Sequence, residues 1–306
     1  MNPSRLNRRE FLQATSLGAT LVATVGSSRP GAAPPARWKV IAFSKPFTRL
    51  NFSDTADLVA DVGWDGIECP VRKSATHIDP ERVEEQLPKM VEALQKRGLE
   101  VSMITTDITG VSAQAEQILK TAAKLGIRRY RLGALHYVPN KPIPEQLEDF
   151  KVRMRDLAQL NHAVGIQGGI QNHSGKDYFA APVWDAFEAI RTLPPADMGI
   201  AFDIGHATLE GGLSWPIQAQ LVQPRYSLVY VKDFRWEKQT AGWTPEWCPL
   251  GEGMVSRKFF DTLATTQYAG PVCQHHEYEL GKTPAENIRH FKEDLKTLRG
   301  WLGSAS

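Results

Sequence analysis

From Trp38 onward, short apolar or β-branched runs alternate with longer stretches in which apolar residues recur at the helical period. Eight runs read as strands: 39–43, 66–69, 100–105, 129–132, 167–171, 199–203, 227–232 and 271–275. Between them the pattern predicts helices over 80–97, 113–125, 145–164, 182–191, 257–266 and 284–298. Gly98, Gly126, Gly165 and Gly270 follow four of these helices, where a left-handed cap favours a residue without Cβ. Strands and helices in alternation describe a parallel sheet covered by helices. Eight such units predict an α/β fold, a single-domain (β/α)8 TIM barrel over residues 36–306. No GxGxxG follows the first strand, so a dinucleotide-binding fold loses its main support. The long segment 234–253 carries three tryptophans and reads as a lid or wall over the barrel mouth.

Upstream of the barrel, Asn7-Arg8-Arg9-Glu10-Phe11-Leu12-Gln13 precedes a modestly apolar run that ends in Gly31-Ala32-Ala33. This is the form of a twin-arginine signal peptide, with cleavage near Ala33, and it predicts a periplasmic or otherwise exported protein. The apolar run is too short to span a bilayer comfortably, and no membrane span is predicted in the mature chain. Lysine plus arginine (36) nearly balances aspartate plus glutamate (34) without a sustained basic run, which argues against nucleic acid or an anionic membrane as partner. A neutral small molecule is the expected partner, with a homo-oligomer as a further possibility. Cys69, Cys248 and Cys273 form neither a disulfide framework nor a CxxC zinc motif.

In a (β/α)8 barrel the working residues stand at the C-terminal ends of the strands. Strand two ends in Glu68, strand four runs on to His136, strand five ends in Gln171-Asn172-His173 and strand six in Asp203-Ile204-Gly205-His206. Strand seven ends in Tyr230-Val231-Lys232-Asp233 and strand eight in His275-His276-Glu277. Nearly every polar cluster of the barrel thus falls at a predicted strand tip, where solvated helix faces would have scattered the charge instead.

These pieces carry a resemblance. Trp64-Asp65-Gly66-Ile67-Glu68, Phe202-Asp203-Ile204-Gly205-His206-Ala207, Val231-Lys232-Asp233, Pro249-Leu250-Gly251-Glu252-Gly253 and the segment 270–277 stand in the order found in the sugar phosphate isomerase/epimerase family, the xylose isomerase-like barrels, which the chain resembles over nearly its whole mature length. The resemblance implies a sugar-directed enzyme with a divalent metal on four strand-tip ligands: glutamate, aspartate, histidine and glutamate. This sequence has Gln171, Asp203, Tyr230 and His275 at those positions, so one ligand of four is kept. Loss of two carboxylates lowers affinity for manganese or magnesium more than for zinc. A rebuilt set of Asp203, His275 and Glu277, with His173 in reach by strand parity, is the alternative.

The expected chemistry is proton transfer beside a sugar carbonyl, as in an isomerase or epimerase, or in a related lyase or dehydratase acting on keto-sugars or keto-glycosides. Glu68, His173, His206 and Lys232 are the candidate catalytic residues, the last as a cation that polarises a substrate oxygen. His136, Gln171, Tyr230, Trp236 and Trp247 are candidates for substrate binding, the tryptophans by stacking on a sugar ring. Plainer readings exist for each. Asp203 and His206 can close an Asx-like turn, Glu68 can neutralise Arg131 or Lys232 inside the barrel, His276 can pack outward, and Glu252 can serve a turn. A non-catalytic sugar-binding protein on a degenerate scaffold, and a nuclease sharing the barrel, are the readings from other classes; near-neutral charge speaks against the nuclease.

Overall fold

The computed structural model describes residues 38–303, so the proposed signal peptide lies outside the described residues. The chain runs β1 (Val40–Phe43), α1 (Phe52–Val62), β2 (Gly66–Val71), α2 (Val83–Gln95), β3 (Glu100–Thr106), α3 (Ala113–Lys124), β4 (Arg129–Arg131), α4 (Ile143–Val164) and β5 (Gln167–Gln171). It continues through α5 (Val183–Ile190), β6 (Met198–Asp203), α6 (Ile204–Gly211), α7 (Trp215–Val222), β7 (Tyr226–Val231), β8 (Asp233–Gln239) and β9 (Gly242–Cys248). α8 (Lys258–Ala264), β10 (Val272–Gln274) and α9 (Pro284–Gly303) complete it. Eight strands close a parallel barrel in the order β1-β10-β7-β6-β5-β4-β3-β2, the (β/α)8 architecture expected from the alternation.

The side-chain alternation of a strand divides the interior into two cores. Val40 and Ala42 face the helices and join a continuous outer core with Ile67, Ile104, Tyr130, Phe202 and Val229. Ile41 and Phe43 face the other way, into a small barrel core completed by Met103, Ala201, Leu228, Tyr230 and Cys273. Two register shifts break the ladders close to the mouth, between Ile67 and Glu68 on β2 and between Ile200 and Ala201 on β6. The unpaired extra residues are Ser102 on β3 and Ser227 on β7, so these two strands bulge beside Glu68 and Ala201.

Several expectations need correction. α1, α6 and α7 were absent from the predicted elements; α1 has its cap signal, Asn51 accepting from the Asp54 amide, but its polar residues mask the period. The stretch after β6 is no open turn, because Asp203 caps α6 by accepting from the His206 amide. Segment 234–253 begins as an antiparallel hairpin, β8 with β9, rather than a loop. Gly98, Gly126 and Gly165 have left-handed φ, but Gly270 does not: its missing Cβ instead makes room for the Tyr268 ring. All three cysteines are buried and free. Among the described residues no helix is long and apolar enough to cross a membrane.

The loop behind the hairpin hangs on one carboxylate. Asp233 Oδ1 accepts from the amides of Phe234 and Val255, both at 2.9 Å, and Oδ2 from Gly251 and Gly253, both at 3.0 Å. Gly253 approaches Asp233 and the Phe234 carbonyl so closely that no Cβ fits. The Pro-Leu-Gly-Glu-Gly motif is therefore a backbone cradle for a buried carboxylate, in keeping with a turn role for Glu252. Asp233→Ala leaves four amides without their acceptor and should cost on the order of 3 kcal/mol in urea denaturation, with Asp233→Asn falling between it and the wild type.

Candidate functional site at the barrel mouth

Glu68 occupies the centre of the barrel. Its carboxylate is fully buried and accepts from Tyr230 Oη at 2.8 Å and from the Thr105 hydroxyl, both on Oε1. Cys273 Sγ stands 3.2 Å and His275 Nε2 3.3 Å from Oε2, and Arg131 Nε lies 3.6 Å from Oε1. Burial alone would raise its pKa; the Arg131 charge and the His275 hydrogen bond outweigh that and hold it near 2. With its oxygens held by fixed partners, Glu68 stands in this structure as an anchor of the mouth. The Tyr230 ring is sealed in the barrel core and its hydroxyl donates to Glu68.

A second tier lies nearer the opening. Asp203 Oδ1 caps α6, while Oδ2 faces Gln171 Nε2 at 2.9 Å, Lys232 Nζ at 3.4 Å and His206 Nε2 at 3.6 Å. The aspartate in this stretch is thus both the local cap and a member of the cluster. Lys232, almost wholly buried, also reaches Glu277 Oε1 at 3.9 Å and lies 4.5 Å from the Trp247 ring centroid. Gly205 makes this possible, since a Cβ there would stand 2.8 Å from Lys232 Cγ. Gln171 turns its oxygen to Arg131 Nη1 at 2.8 Å, so the amide joins the two tiers. His275 stacks on Phe43 at 4.7 Å and points Nδ1, which has no hydrogen bond, toward Glu277 Oε1 at 3.9 Å.

His173 stands apart in accessibility. It lines a cavity of about 210 Å3 together with Arg72, Asp107, Arg131, Gln171 and Tyr178. Its ring is stacked on Tyr178 at 4.5 Å and lies 4.2 Å from the His206 ring. Nδ1 is 2.8 Å from the Ser174 carbonyl, which can only accept, so the proton sits on Nδ1 and Nε2 keeps its lone pair. Burial first, and then the Lys232 charge, push this imidazole below its usual 6.5. Ser174 Oγ meets His206 Nδ1 at 2.8 Å, so one serine fixes both rings.

The structure therefore brings Glu68, Gln171, His173, Asp203, His206, Tyr230, Lys232, Trp247, His275 and Glu277 to one mouth. His136 stays one position outside, in the wall, beside Tyr178 at 4.2 Å and Asp177 at 3.7 Å. Trp236 lies away from the cavity on the exposed hairpin beside Trp243. Arg72, Asp107, Ser174 and Tyr178 were missed. Nothing in the local sequence around Tyr178 marks it, whereas Arg72 follows β2 directly and could have been read as a strand-tip cation.

With this geometry in place the chain can be compared with known proteins. It belongs to the xylose isomerase-like TIM barrel family, whose profile matches residues 56–300. No curated protein sequence matches it significantly. Among solved structures it is similar to D-psicose 3-epimerase with D-tagatose from Clostridium cellulolyticum H10 (TM-score 0.68, 11% identity, covering 86% of this chain and 99% of that one). It is also similar to 3-keto-D-glucoside 4-epimerase from E. coli (0.66, 17%, 86% and 99%). A third is a xylose isomerase-like TIM barrel protein from Mycobacterium smegmatis in complex with magnesium (0.63, 16%, 88% and 98%). At such identities the likeness establishes the fold.

The donor set does not fit the divalent ion that the resemblance implied. Among the described residues, only Glu68, Cys273 and His275 bring three donor atoms within 4.8 Å of one another. The Glu68 oxygens already have fixed partners, and the Cys273 thiol, held well above its usual pKa by burial and then by the Glu68 charge, would have to give up its proton to such an ion. The remaining carboxylates, Asp203 and Glu277, have the Lys232 ammonium between them. An ion would have to enter against two buried cations. Elemental analysis of the purified chain should find well under one equivalent of manganese, magnesium or zinc, and EDTA should leave its melting temperature unchanged.

Proposed function

We propose that this chain is a sugar-directed isomerase or epimerase that removes and returns a proton beside a carbonyl, and that it is exported by the twin-arginine route. The observation that carries the reading is His173. Its neutral, lone-pair-bearing Nε2 belongs to a residue that lines a monosaccharide-sized cavity next to Arg131. The cavity is smaller than the roughly 300–1,000 Å3 of sites for drug-sized ligands, and its lining, mixed polar and apolar, suits the hydroxyls and C–H faces of a sugar. The epimerase activities of similar barrels support the same class of chemistry.

In this reading His173 takes the proton from carbon, and its orientation is kept by the Ser174 carbonyl and the Tyr178 stack. Negative charge then develops on the carbonyl oxygen. Arg131, lining the same cavity and already fixed by Glu68 and Gln171, stabilises that oxygen without rearrangement. Lys232 supplies the second fixed positive charge and keeps Asp203 and Glu277 ionised. Neutral His206, well below its usual pKa because of its burial, lies against His173 without adding a cation. Delivery of a proton by a second acid to the opposite face of that carbon gives the epimer; transfer by His173 to the neighbouring carbonyl carbon, with the hydroxyl proton of the carbon first deprotonated passing to the former carbonyl oxygen, gives the isomer; departure of a protonated β-substituent gives the lyase outcome.

Incubation with keto-sugars and keto-glycosides in deuterated water should place solvent deuterium on the carbon beside the carbonyl. His173→Gln should slow that exchange by about 10²–10⁴-fold. The base works when neutral, so activity is lost as pH falls through a pKa that burial has lowered. The acid limb of kcat/KM should therefore lie below 6.5, and Lys232→Met, which removes a neighbouring cation, should move it upward. Absence of deuterium uptake across a broad panel would defeat the proposal.

A further inference from the structure

The cavity that holds His173 also holds two guanidinium groups. Arg72 and Arg131 lie over the same Phe43 ring, with guanidinium carbons 5.5 and 5.0 Å from its centroid. Arg131 is accounted for by Glu68 and Gln171. Arg72 is not: among the described residues it has no carboxylate within ion-pair distance, and its Nε and Nη2 donate only to the Ala75 carbonyl, at 3.4 and 3.3 Å. Ala75 holds that carbonyl in place with a left-handed φ of 45°, a conformation a non-glycine residue adopts at a cost.

Among the described residues the only carboxylate lining the cavity is Asp107, and its Oδ2 accepts from the Lys73 amide at 2.9 Å. With Glu68 engaged by Arg131, Asp107 is the cavity carboxylate that attracts Arg72, and it does so without an ion pair at contact distance. Burial, and then repulsion from Arg131, outweigh the attraction of Asp107, Glu68 and Glu277 and lower the Arg72 pKa; a bound anion would offset the repulsion. Arginine offers a planar fork that matches a carboxylate with two parallel hydrogen bonds.

We propose that Arg72, beside Arg131, forms a subsite for the carboxylate of a sugar acid, so that the substrate is a monosaccharide-sized keto-acid derivative rather than a neutral sugar. This deepens the proton-transfer reading and rests on the same cavity. The subsite places the charged end of the molecule over Phe43, with His173 and Tyr178 on the cavity wall that remains.

The test is calorimetric titration of the full chain with D-glucuronate and, as its neutral match, D-glucose. Glucuronate should bind at least tenfold more tightly in 50 mM salt, and the preference should shrink in 500 mM salt. Arg72→Met should abolish the preference while leaving glucose binding in place; Arg72→Lys, which keeps the charge but loses the fork, should fall between. Equal affinities in the wild type would overturn the subsite, as would inorganic phosphate or sulfate competing as well as glucuronate, which would mark a general anion cradle. Selective glucuronate binding without deuterium uptake by any keto-acid would defeat the chemistry and leave the subsite standing. Deuterium uptake by neutral keto-sugars as fast as by keto-acids would do the reverse.

Discussion

The barrel mouth depends on a carboxylate that has no route to water. Glu68 can stay ionised at full burial only if its oxygens are filled, because an unpaired charge in that position is prohibitively expensive. Its partners come from β3 (Thr105), the end of β4 (Arg131), β7 (Tyr230), β10 (Cys273) and the residue after it (His275). Four strands besides its own are therefore tied to one functional group. The arrangement fixes the guanidinium of Arg131 and the rings of Tyr230 and His275, and through Gln171 it fixes the orientation of Asp203.

That network also shows how charge at this mouth is balanced by side chains. A divalent cation organises strand tips by drawing anionic ligands to one point. Here two anionic ligand positions carry an amide and an imidazole, and the compensating positive charge is covalent, on Lys232 and Arg131. Lys232 spans Asp203 and Glu277 from β7 much as a shared counter-ion would, and Trp247 covers its outer side. Such a centre is preorganised by folding, whereas a metal centre is completed by an added ligand.

How much of this was legible in the sequence follows from the range of each signal. All eight barrel strands were readable because a buried strand writes its own apolar run, as at 199–203. α6 was not, since its eight residues begin directly at the strand tip and carry more glycine than helical period. The candidate residues at β2, β5, β6, β7 and β10 were found because parallel strands finish at one rim. Their roles were not, since role depends on exposure. Glu68 and His173 look equivalent in the chain, yet one is sealed by five neighbours and the other lines the cavity. Trp236 and Trp247 differ in the same way: they sit on paired strands of one hairpin, and only Trp247 falls over Lys232.

The adjacent residues Lys232 and Asp233 show how the fold couples stability to the site. They follow β7 in sequence and leave it in opposite directions: the lysine enters the mouth, and the aspartate turns away to bind four amides of the hairpin and the loop that follows. Those four bonds pin the segment that carries Trp247, because Asp233 pairs with Cys248 and Phe234 with Trp247 in the β8–β9 ladder. Trp247 in turn seals the lysine from solvent and meets the His206 ring edge-on at 5.4 Å. The strength of Lys232 as a fixed charge is thus set partly from outside the mouth, by how firmly Asp233 holds the wall that keeps water away from it.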